Sequence, residues 1–143
     1  MRPLGVTLIG FYQILRGVIW ALFGLSLLAF TSFAVRMLSL AAEGSAATRW
    51  LHGLGHVVGL ALVIYGLIEL VAGWGVLGMQ NWGRLLTLLF SAIGLFLLLP
   101  ALTHGHVFSL VFGFLNGASI FYLVMPPIKR AFHTGGNPMR AAA

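Results

Sequence analysis

The sequence predicts an all-α protein: an integral membrane bundle of four helices with both termini in the cytoplasm. Three observations lead there. Of 143 residues, 60% are hydrophobic and only 7% are charged, with a mean hydropathy of +1.04, whereas an ordinary soluble domain carries about 25% charged residues. Such a chain cannot clothe a water-facing surface, and it is too apolar to be disordered. The apolar residues also fall into four long stretches, near the ~20 residues that a bilayer core of ~30 Å requires. Finally, eight Lys and Arg stand against two acids, Glu43 and Glu69. On a chain this apolar, that excess sets membrane orientation and does not point to nucleic acid. The length admits one domain, 1–143. The absence of cysteine excludes disulfides, thiolate nucleophiles, Fe–S clusters and cysteine zinc sites.

The first span is expected at about 4–30, interrupted only by Arg16. It is too long for the apolar core of a signal peptide and lacks a small-x-small cleavage site, so it is read as a retained helix. The second span, about 50–78, is interrupted only by Glu69. The third, about 84–99, is the shortest, and Pro100 is expected to end it. The fourth covers about 107–125 and stops at Pro126-Pro127. Unbroken apolar runs are helices, since the strands of a membrane barrel alternate.

The connections differ in kind. Residues 79–83 form a tight inner turn, and 100–106 form a short outer one. In the first loop, 33–42 reads either as an interfacial helix or as an extension of the first span. Gly44-Ser45 then breaks it, with Ser45 placed to cap the second helix. The Gly/Pro/Ala-rich tail, 131–143, is expected to be loose.

Orientation follows from basic residues at the span ends. Arg2, Arg84, Lys129, Arg130 and Arg140 fall on one side, Arg36 and Arg49 on the other. This places both termini in the cytoplasm. Trp50 and Trp82 occupy interfacial positions.

Glycines repeat every seven residues in the first two spans, as Gly10, Gly17, Gly24 and as Gly59, Gly66, Gly73. Small residues at this period form a packing seam between membrane helices. Because the helices run antiparallel, Gly10 should meet Gly73, Gly17 should meet Gly66, and Gly24 should meet Gly59. The register also brings Arg16 and Glu69 to depths that differ by about 3 Å, at 1.5 Å per residue. The two charges inside the spans are therefore expected to pair, with Tyr12, Trp20 and Tyr65 nearby. One reading is a clamp that fixes helix register. The other is a proton relay or transport site. A relay needs polar groups leading to water, and spans three and four supply Thr87, Ser91, Ser109, Asn116 and Ser119. In span four, Gly113-x-x-x-Gly117 is a further small-residue contact motif, beside an aromatic surface.

Histidines are the remaining chemical resource. His52 and His56 lie one turn apart near the outer end of span two, with His52 continuing the glycine seam inward. His104 and His106 occupy the outer turn. These four are candidate ligands for haem, a chlorophyll-type pigment or a metal. The bland reading is interfacial histidines bonded to water, headgroups or carbonyls. His52 is followed by Gly53, so the glutamate of the zinc-hydrolase motif is missing.

Two segments carry a family resemblance. One is the opening Arg2-Pro-Leu-Gly-Val-Thr7. The other is Tyr65-x-x-x-Glu69-x-x-x-Gly73-Trp-Gly-Val-Leu77 followed by Asn81-Trp-Gly-Arg84. They resemble small bacterial four-helix membrane proteins of the domain-of-unknown-function kind, with Glu69, Trp82 and Arg84 matching best. The turn Met79-Gln80-Asn81 is less basic than that pattern, and the outer histidines are not part of it. The resemblance implies a four-helix bundle and no activity.

The chain shows no nucleophile, phosphate loop or acid–base pair, so it is not expected to be an enzyme. The leading expectation is an accessory or scaffold subunit that contacts the bilayer and other membrane subunits, or itself. The alternatives are a haem- or pigment-binding redox module and a small transporter or proton conductor built on Arg16 and Glu69.

Overall fold

The computed structural model describes residues 3–41, 46–103 and 107–133. They form α1 Leu4–Ala41, α2 Ala46–Leu77, α3 Asn81–Thr103, α4 Val107–Val124 and α5 Pro126–His133, with no strand among the described residues. Three stretches, Leu4–Leu38, Arg49–Leu77 and Asn81–Pro100, are long and apolar enough to cross a membrane. A fourth is added if α4 and α5, bent by 67°, are counted as one span. The long helices expose large apolar side chains on most of their surface, Phe11, Leu22, Val57 and Phe96 among them. In water that surface would drive aggregation, whereas in hydrocarbon it is simply solvated.

Several boundaries differ from the sequence reading. Helix α1 absorbs the first part of the loop and continues to Ala41, so this stretch extends the first span. Helix α3 starts at Asn81 and runs through Pro100 to Thr103. Proline removes a single helical donor and blocks one carbonyl, a loss that neighbouring groups make good in membrane helices. The tail is not loose from 131 onward. Ala131, Phe132 and His133 belong to α5, where Pro126 occupies the helix start that its fixed φ favours. Ile128 and Phe132, one turn apart, are buried. Ser45 and residues 134–143 lie outside the described residues.

The chain divides into two compact units. The first, the hairpin unit, is Leu15–Leu70. Here α1 and α2 run antiparallel with their backbones close. A methyl group added at Gly17 would lie 2.7 Å from the carbonyl oxygen of Gly66, and one at Gly24 would lie 2.7 Å from that of Gly59. Toward the end of α1 and the start of α2, Gly55 abuts Thr31.

The second, the terminal unit, comprises Met1–Ile14 and Val71–Ala143. Gly10 abuts Leu77 and Gly73, Gly75 and Gly83 touch through their backbones, and Gly5 meets the ring of Tyr122. Val6, Val76, Met79, Leu123, Ile128 and Phe132 form its apolar core. The turn from α2 to α3 is closed by two bonds, Gln80 N–H to the Gly75 carbonyl at 2.9 Å and Met79 N–H to the Val76 carbonyl at 3.0 Å. This is a Schellman cap, and it requires a left-handed residue. Met79 takes that place with a φ of 54°, where glycine is usual. Its side chain is 6% exposed, so core burial offsets the backbone strain.

Arg84 was read as a marker of the inner membrane face, yet it is buried. It donates from Nε to Asn81 Oδ1 at 3.2 Å and from Nη1 to the Leu123 carbonyl at 3.4 Å. The second bond answers a need created by Pro127. The helical partner of the Leu123 carbonyl would be the amide of residue 127, and proline has none. The preceding carbonyl, Tyr122, loses Pro126 in the same way and accepts from Met125 N–H instead. Arg84→Met is expected to destabilise the protein by about 1–3 kcal/mol, the cost of an orphaned buried carbonyl. Adding Pro127→Ala, which restores a backbone donor, should recover part of that loss in SDS unfolding titrations.

Candidate functional site

The polar centre of the hairpin unit is built by Arg16 on α1 and Glu69 on α2. The glycine contacts bring the two helix axes close enough for the side chains to meet. Arg16 Nε donates to Glu69 Oε2 at 2.9 Å, and Nη2 donates to Oε1. The fork of the guanidinium thus matches both carboxylate oxygens, the strongest geometry available to this pair. The side chains are 7% and 0% exposed. An unpaired charge at the centre of a span costs ~2.5–3.5 kcal/mol on insertion scales, and here each charge answers the other.

Aromatic residues lie one helical turn from each member of the pair. Trp20, one turn from Arg16 on α1, meets Tyr65 of α2 edge-on, with ring centroids 6.0 Å apart, and meets Phe23 at 6.3 Å. Tyr65 lies one turn from Glu69 on its helix. Tyr12 belongs to the terminal unit, where it borders a groove of ≈ 360 Å³ with Ser119 and Tyr122.

His52 does not continue the glycine seam. It is exposed, and it stacks on the half-exposed His56 with centroids 4.2 Å apart. The seam passes instead to Gly55 against Thr31. A straight helix has 3.6 residues per turn and drifts ~20° per heptad from a seven-residue repeat, so a four-residue step overtakes it. His56 Nδ1 lies 3.0 Å from the His52 carbonyl oxygen. Among the described residues no three His, Cys, Asp or Glu side chains converge as a metal site. His104 and His106 lie outside the described residues.

The small-residue motif of α4 also departs from expectation. Gly113 is buried, but a methyl at Gly117 would meet nothing within 4 Å. Gly117 opens instead onto an apolar groove of ≈ 600 Å³, lined also by Leu95, Ile120, Phe121 and Val124. Besides the heptad pair Gly10 and Gly73, the close contacts of this unit fall at Gly5, Gly75 and Gly83, which follow no heptad and escape a periodicity search.

Sequence reasoning also missed Gln13. It is fully buried in the terminal unit, as are Thr87 and Ser91, with Asn116 and Ser119 nearly so. A lone glutamine in an apolar helix shows nothing of its facing until the helix has neighbours.

Comparison with protein-family models, with curated proteins and with solved structures yields no match.

Proposed function

We propose that the chain is a four-helix subunit of the bacterial inner membrane, with both termini in the cytoplasm. In this reading it acts as a non-enzymatic accessory or scaffold within a larger membrane assembly. The observation that carries the reading is the closure of Arg16 on Glu69. A relay or transport site keeps a charged group available to its cargo, whereas here both carboxylate oxygens accept from the guanidinium and the two side chains have almost no exposure. A pair so arranged fixes helix register. The Gly117 groove on α4 supports lateral contact with another membrane helix, since small residues admit close approach. The resemblance to small bacterial four-helix membrane proteins bears on the bundle alone and implies no activity.

The tagged protein, extracted in mild detergent, is expected to co-purify with larger membrane proteins in fixed stoichiometry. A monomer with no partner at any detergent strength would overturn the proposal.

The stacked His52 and His56 favour one alternative, a haem-binding redox module. It requires a Soret band in the purified protein that disappears on changing both residues to alanine.

A further inference from the structure

Three side chains in the terminal unit have no place in the account above. Among the described residues, both amide atoms of Gln13 on α1 and the hydroxyls of Thr87 and Ser91 on α3 are buried without a hydrogen-bond partner. This is not the ordinary behaviour of small polar residues in this protein. Ser32 and Ser119 turn back to the carbonyls of Leu28 and Leu115, at 2.8 and 2.7 Å, the usual resort of serine in an apolar helix. Thr87 and Ser91 do not, although they lie one turn apart on one stripe of α3.

The packing contacts place the three together in depth. Gly73 abuts Gly10 and Ile14, Gly75 abuts Gly83, and Gly5 abuts Tyr122. Counted from these contacts at ~1.5 Å per residue, Gln13 is level with Ala72 and Thr87. Ser91 follows one turn further, and Asn116 on α4 lies within a turn of that level. Gln13, Ala72, Thr87 and Ser91 are all fully buried, so none of them faces lipid. Unpaired polar groups in a buried site are costly, and such sites in proteins hold water when two to four polar partners converge. The amide of Gln13 supplies donors and an acceptor, and each hydroxyl supplies both.

We infer that the terminal unit takes up water along this stripe: Gln13, Thr87 and Ser91 line a cleft between α1 and α3 that opens to admit it. The apolar faces of the same helices stay in lipid.

The native chain has no cysteine, so single cysteines can be read without background. Thr87→Cys and Ser91→Cys are introduced separately, with Ala72→Cys (buried, apolar) and Leu89→Cys (54% exposed, toward lipid) as references. Each is treated in proteoliposomes with a small charged methanethiosulfonate. Only thiols that meet water ionise and react, so labelling at 87 and 91 should exceed both references by about tenfold or more. Two positions are used so that failure of one variant to fold leaves the other as the test. Equal rates at all sites would overturn the inference. In a Gln13→Leu background the Ser91→Cys rate should fall to that of the references; an unchanged rate would overturn the assignment of the cleft to these groups.

Discussion

Gly66→Ala lowers the stability of the hairpin unit, and Gly66→Leu prevents its two helices from closing. A methyl at position 66 would lie 2.6 Å from the carbonyl oxygen of Gly17 and against the backbone nitrogen of Ala21. Neither is the yielding tip of a side chain, so relief requires the helices to separate. Overpacking of this kind costs ~1–3 kcal/mol for small additions and more for large ones. Separation also lengthens the Arg16–Glu69 bonds, so the larger side chain loses the ion pair as well. Gly117→Ala is the matched control. It makes the same chemical change, but the added methyl meets nothing within 4 Å. Helix propensity alone then acts and favours alanine by up to ~1 kcal/mol. SDS unfolding titration of the two alanine variants should therefore give shifts of opposite sign. Equal shifts would show that the contacts at Gly66 are not tight.

Much of this was legible in the sequence because membrane chains obey few rules strictly. Every backbone group must be bonded within the bilayer, so apolar stretches of span length become helices. The heptad glycines gave the antiparallel register of α1 and α2, and the register placed Arg16 beside Glu69. What escaped depends on partners distant in sequence. Arg84 counts as an interfacial charge until Pro127 is seen to leave the Leu123 carbonyl without a donor. Met79 in a left-handed cap is strained locally and is held by the core around it. Helix α5 is short and half polar, and Ile128 and Phe132 find burial only in the core they share with Val6, Val76, Met79 and Leu123. His52 was misplaced because a seven-residue period was carried beyond the point where helical drift exhausts it.

The second large effect concerns the charges themselves. Arg16→Met or Glu69→Leu leaves the remaining partner as an uncompensated buried charge, at an expected cost of about 3–5 kcal/mol. With both changed, no charge remains to desolvate, and apolar side chains of similar reach fill the space. Replacing a buried pair in this way is often neutral or stabilising by ~1–4 kcal/mol. The two substitutions should thus be strongly non-additive. A clamp requires only that the site be closed and register-specific. A relay requires the carboxylate itself, and its loss would persist in the double variant whatever the fold.

The most direct measurement is the unfolding free energy of Arg16→Met, Glu69→Leu and the double variant, read together with partner co-purification. A structural pair predicts that both singles fall sharply and that the double variant recovers both stability and association. If the double variant is as unstable as the sum of the singles, or is stable yet loses its partner, Arg16 and Glu69 do more than hold the helices.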